Sequence, residues 1–136
     1  MKGRPGMSDS GIYIVTLNNE HPIAVNANDP RIAEKCIKVS RVNCKLGKAK
    51  KLAGRERSYF KVFGFENVNF MSIAFTEDAV LAERLILKRL AQWRMRGATG
   101  RKNEWLAGIS AVEVERIALG ALTQSAIVFK RPSKIE

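Results

Sequence analysis

The chain has 136 residues, with 24 Lys and Arg against 13 Asp and Glu, for a net charge of +11. This length suits one domain around one core, and an apolar fraction of 46% excludes a disordered chain. The charge points to a polyanionic partner, nucleic acid first and an anionic membrane surface second.

The first residues, Met1 to Met7, carry a basic flank with no apolar core behind it. They read as a flexible basic arm over residues 1–10, not a signal peptide. No apolar run approaches the ~18 residues of a membrane span, so no membrane partner and a cytoplasmic location are expected. Ile12 to Leu17 is β-branched and aromatic and predicts a strand ending in the turn cluster Asn18 to Pro22. Ile23 to Val25 predicts a short second strand, and Asp29-Pro30 a helix start leading through Arg31 to Ile37. Val42 to Leu46 reads as a strand, Lys50 to Tyr59 as a short basic helix, and Asn67 to Phe75 as a largely buried strand.

A helix is expected from Glu77 to about Trp93, with Thr76 as N-cap and Ala79, Ala82, Ile86, Leu90 and Trp93 as its apolar stripe. Arg94 to Asn103, basic and with two Gly, reads as a loop. A last helix starts at Ser110, where Ser110 and Glu113 form a capping box and Val114, Ile117, Ala118 and Ala121 make the apolar face. The expected fold class is α/β (α+β): a short, mainly antiparallel sheet of about three strands flanked by helices. The domain is expected over 11–122, with 123–136 as a C-terminal tail.

Two Cys and one His exclude several chemistries. Cys36, Cys44 and the distant His21 do not make a structural zinc site, which wants four ligands at short spacings. A Cys36–Cys44 disulfide has no support beyond the presence of both thiols. His21 precedes Pro22 in a polar turn and reads as a surface residue, not as part of a Ser-His or Cys-His mechanism.

Basic residues fall in two runs. Lys45, Lys48, Lys50, Lys51, Arg55, Arg57 and Lys61 stand with one acid, Glu56, and Arg84, Lys88, Arg89, Arg94, Arg96, Arg101 and Lys102 stand with none. Two such runs in one strongly basic chain are better explained by phosphate contacts than by solvated faces. The expected DNA contacts are Lys48, Lys50, Lys51, Arg57, Arg94, Arg96, Arg101, Lys102 and Asn103. No helix-turn-helix, zinc-finger or RNA-stacking motif accompanies them, so base-specific reading is not expected.

Taken singly, Tyr13 reads as a packing residue of a strand and Arg55 as a surface cation. Glu83 differs, because helical spacing puts it beside Ala79, Ile86 and Leu87 at the edge of the apolar stripe. A carboxylate there needs a salt bridge, hydrogen bonds or a metal ion.

The set Gly11-Ile12-Tyr13, Lys45-Leu46-Gly47, Arg55, Tyr59, Glu83 and Asn103 resembles, in order and spacing, the GIY-YIG nuclease superfamily, over residues 11 to about 105. The resemblance implies that Tyr13, Lys45, Arg55, Tyr59 and Glu83 are catalytic and converge on one cleft. It implies that Glu83 holds one Mg²⁺, for which Mn²⁺ can substitute, and that Asn103 is the polar residue following the metal-binding helix. The implied activity is Mg²⁺-dependent DNA endonuclease, compatible with a homodimer. The chain departs from the family pattern in having Lys45 where most members have Tyr, as do some restriction-type members. Its interval from Tyr13 to Lys45 is also longer than the usual hairpin, with the extra residues at about 26–41.

Mechanistically, Glu83 is expected to hold the ion, Arg55 to donate to the non-bridging phosphate oxygens, and Tyr13 to orient or deprotonate the attacking water. Lys45 is expected to be the cation that lowers the Tyr13 pKa, with Tyr59 completing the hydrogen bonding. Two rival readings are a DNA-binding protein that keeps this fold without catalysis, and a basic RNA-binding protein.

Overall fold

Alternation of apolar residues builds the centre of the molecule. The computed structural model describes residues 9–25, 37–96 and 102–132. In it β1 (Gly11–Leu17), nearly all buried, pairs antiparallel on one side with β4 (Asn43–Ala49) and on the other with β5 (Val68–Phe75). Between β1 and β4 in the chain, β2 (Ile23–Ala24) and β3 (Lys38–Val39) pair as a small separate ribbon. The helix expected over 31–37 falls outside the described residues except for Ile37, which is buried and leads into β3.

The main sheet is wider than the sequence suggests. Residues expected to form a loop are instead a hairpin, β6 (Arg94–Arg96) and β7 (Lys102–Ala107), and the sheet has five antiparallel strands in the order β5-β1-β4-β7-β6. Trp105 and Leu106 explain this: β7 pairs with β4 and buries one of these side chains on each face of the sheet, an anchor that outweighs a polar, Gly-containing connection.

Among the described residues there are three helices. Helix α1 (Leu52–Phe63) covers one face, through Leu52 and Tyr59. Helices α2 (Ala79–Arg89) and α3 (Ala111–Thr123) cover the other, through Ala82, Ile86, Leu87, Val114, Ala118 and Leu122. Helix α2 is shorter than expected at both ends. Its N-cap position is Asp78, while Thr76 Oγ1 accepts from the Asp78 N–H and donates to the Val128 carbonyl; Ala91–Trp93 forms a separate 3₁₀ turn. The capping at Ser110 is as expected in one direction, its hydroxyl accepting from the Glu113 N–H at 3.2 Å. The Glu113 carboxylate is turned to Arg116.

Beyond α3, Ile127 is buried in the core and Lys130 bridges Phe75 at the outer end of β5. Cys44 is a free thiol on the α2–α3 face, and its burial pushes its pKa up to about 11. Among the described residues, no helix is long and apolar enough to cross a membrane.

Candidate active site

Strand alternation decides which side chains meet. On β1, Tyr13 and Val15 face α1 while Ile12 and Ile14 face α2 and α3; on β4, Ala49 faces α1 while Cys44 and Leu46 face α2 and α3. By the same period-two pattern, Lys45 and Gly47 share the α1 side and Lys48 the opposite one.

Tyr13 stands directly opposite Gly47 in the β1–β4 register. The missing side chain is what makes room for it: a Cβ at Gly47 would lie 2.3 Å from the Tyr13 hydroxyl. Gly11 is tied to a different constraint. A Cβ there would lie 2.1 Å from the Ala74 carbonyl oxygen, beside an irregularity in the β1–β5 ladder. Both motif glycines therefore serve close approach.

The phenol of Tyr13 stacks on Phe70, with ring centroids 4.7 Å apart, and its hydroxyl lies 2.9 Å from that of Tyr59. Arg55 and Tyr59 are one helical turn apart, so α1 presents both on the same side. Arg55 Nη1 donates to the Tyr13 hydroxyl at 3.4 Å, and Lys45 Nζ donates to the Tyr59 hydroxyl at 2.5 Å. Helix α1 is itself held by a residue outside the motif: the Asp9 carboxylate accepts from the Ala53 N–H, and the Asp9 carbonyl from that of Leu52. This anion offsets the cost of Lys51 at the positive end of the helix dipole.

Tyr13, Lys45, Arg55 and Tyr59 thus form one hydrogen-bonded chain. Proton counting gives it a direction. Charged Lys45 and Arg55 only donate, and one phenol proton spans the two tyrosines. The other phenol proton is then left without a protein acceptor among the described residues. A neutral Lys45 amine removes the mismatch, because Tyr13 can donate to Tyr59 and Tyr59 to Lys45.

Burial, the largest influence, lowers the Lys45 pKa; of the charges around it, Glu104 opposes that most strongly. Burial also raises the Tyr13 pKa, against the lowering effects of Tyr59 and Arg55, and raises that of Tyr59 well above its ordinary range. Lys45 is therefore not the cation that lowers the Tyr13 pKa. It touches Tyr59, the cation touching Tyr13 is Arg55, and the net shift of Tyr13 is upward.

A direct test uses the fact that the chain has only two Tyr, both in this cluster. Their folded pKa values are raised above the reference 10.0, so their stabilising contribution is complete below about pH 10 and is lost as pH rises further. Ultraviolet absorbance should show no phenolate until the protein unfolds in alkali. A phenolate signal from the folded protein below pH 10 would contradict this.

Glu83 lies on the other side of the sheet, where Lys48 Nζ approaches its Oε1 at 3.5 Å. Both line a groove of about 530 Å³ with Arg84, Lys88 and Arg94, its apolar lining being Val80, Leu87 and Ala91. Tyr13, Lys45, Arg55 and Tyr59 do not line this groove, so the single expected cleft takes the form of two adjoining halves. What joins them is a fork in the sheet. The β4–β7 ladder ends at Lys45, so Gly47 and Lys48 have a ladder partner only on the β1 side. Across this fork the Glu83 charge acts on both Tyr13 and Lys45.

The other expected contacts divide. Lys50, Lys51 and Arg57 are exposed around α1, apart from the cluster. Arg94 Nε donates to the Asn103 carbonyl, and the Asn103 side chain accepts from the Trp105 N–H, so this pair braces the hairpin. Arg96 is exposed at the end of β6. Arg101 and the Lys102 side chain lie outside the described residues.

Three participants were not singled out from the sequence. Gly47 carried a signal in its motif, Phe70 carried none, and Glu104 lay inside a quoted tripeptide of which only Asn103 was given a role. The donor set fits one hydrated divalent ion held by a single carboxylate: Glu83 opens onto a groove, and Mg²⁺ retains most of its waters. No group of three or more His, Cys, Asp or Glu that could enclose an ion occurs among the described residues. No protein-family model, curated protein or solved structure matches the chain.

Proposed function

We propose that this protein is a small GIY-YIG-type endonuclease that hydrolyses phosphodiester bonds of DNA with one Mg²⁺. The observation supporting this reading is the cluster of two phenols and two cations beside a carboxylate-bearing basic groove. A cluster with more donors than acceptors is suited to an anion. A phosphodiester supplies the missing acceptors, and Arg55 donates to its non-bridging oxygens as their charge grows.

Glu83 would hold the ion, which when bound supplies Lewis acidity at the phosphate. The remaining chemistry belongs to the chain. Tyr13 orients the attacking water through its hydroxyl. As the O–P bond forms, the water proton passes to Tyr13, the Tyr13 proton to Tyr59, and the Tyr59 proton to neutral Lys45. The leaving 3′ oxygen takes a proton from solvent.

This assigns the rising limb of the pH–rate profile to Lys45. Because burial lowers its pKa, the amine form gains population at lower pH than an exposed Lys would allow, and cleavage should rise as pH rises through that value. Lys45→Arg keeps the positive charge but cannot deprotonate, so it should lose the limb and about 10²–10⁴-fold in rate. Full activity with an unchanged profile would remove Lys45 from proton transfer.

The Lys48–Glu83 ion pair favours a second reading, in which Glu83 is structural and the protein binds DNA without cutting it. Plasmid nicking with Mg²⁺, compared with the same assay in EDTA, separates the two. Binding itself should be salt-dependent: if about six phosphates are contacted, the slope of log affinity against log salt should be roughly −5. A slope near zero would remove the nucleic-acid reading, and tight RNA binding without cleavage would favour the RNA-binding one. A homodimer remains compatible with this proposal, and sedimentation of the DNA complex tests it.

A further inference from the structure

We infer that Lys48 is a positioning residue that exchanges Glu83 for a substrate phosphate, coupling ion binding to DNA binding. This rests on the nuclease reading and adds to it a role for the ion pair. The groove offers four cations, Lys48, Arg84, Lys88 and Arg94, but one carboxylate, Glu83, and Lys48 is the cation paired with it. The Lys48 side chain is 39% exposed and that of Glu83 is 15% exposed, so the ammonium can reach solvent and the carboxylate opens onto the groove.

Two arrangements compete. Without substrate, Lys48 neutralises Glu83 and opposes a divalent ion by occupying one oxygen and by repulsion. A phosphate in the groove offers the ammonium another anion and releases the carboxylate. Because phosphate interacts with freed Lys48 and the ion with freed Glu83, each ligand favours the state the other needs, and the coupling is reciprocal. The flexible Lys stem needs only a change of rotamer, so the exchange requires no movement of β4 or α2.

The test measures Mn²⁺ binding by electron paramagnetic resonance, which does not depend on turnover. Each protein is titrated alone and with a short duplex whose linkages are all phosphorothioate. In the wild type the duplex should tighten Mn²⁺ binding about tenfold. In Lys48→Met the free protein should already bind Mn²⁺ about tenfold more tightly than wild type, and the duplex should add little. Lys88→Met, which removes a groove cation not paired with Glu83, should leave the wild-type pattern in place. Equal tightening by both substitutions would reduce the effect to general charge and overturn the inference, as would no change in Lys48→Met. If Glu83→Gln binds Mn²⁺ as wild type does, the metal site itself is wrong and the nuclease reading fails with it.

Discussion

Glu83→Gln should lower Mg²⁺-dependent cleavage by about 10³-fold, a loss of the size caused by removing one charge-stabilising group from a transition state, while DNA binding holds or tightens. The amide keeps the shape of the side chain but loses the charge that holds the ion. Stability should change by less than about 1 kcal/mol, because the Lys48 left behind is more than a third exposed and rehydrates. A fully buried ion pair behaves differently: removing one partner strands a charge and costs about 3–5 kcal/mol. Thermal melts beside a nicking assay distinguish these cases. Full cleavage by Glu83→Gln would end the catalytic assignment, and a large drop in melting temperature would make Glu83 a structural residue.

Gly47→Ala should have the second-largest effect, from a single methyl group. Its Cβ would stand 2.3 Å from the Tyr13 hydroxyl, a separation that non-bonded atoms do not tolerate. The ring cannot swing aside freely, because Phe70 stacks on it and Tyr59 meets it edge-on. Overpacking of this kind costs about 1–3 kcal/mol. Displacing Tyr13 by about 1 Å should reduce cleavage about 10²-fold. In a Tyr13→Ala background the same Gly47→Ala change should cost almost nothing in stability, since the atoms it strikes are gone. Equal costs in both backgrounds would mean that Gly47 is needed for its backbone and not for the space above it.

The elements that came from sequence alone are those where a local pattern reports a local cause. β-branched alternation marks β1, helical spacing of Ala79, Ala82, Ile86 and Leu90 marks α2, and Ser110 with Glu113 marks the start of α3. The one-turn spacing of Arg55 and Tyr59 already put them on one side of a helix. These patterns record backbone geometry within a few residues, which a single sequence displays directly.

Other features depended on which distant residues became neighbours. Nothing within Arg94 to Asn103 announces a strand; the hairpin exists because Trp105 and Leu106 carry β7 onto β4. Both Lys45 and Lys48 belong to one basic run, yet strand alternation turns them to opposite faces, one to Tyr59 and the other to Glu83. Desolvation follows the same logic: burial under α1, which no local pattern encodes, moves the Tyr13 pKa up and the Lys45 pKa down. The sequence by itself determined the supply of phenols, cations and one carboxylate and most of the elements that carry them. Register and layer packing decided which of these groups touch, because a contact between distant residues is set by the whole sheet and not by either residue's local surroundings.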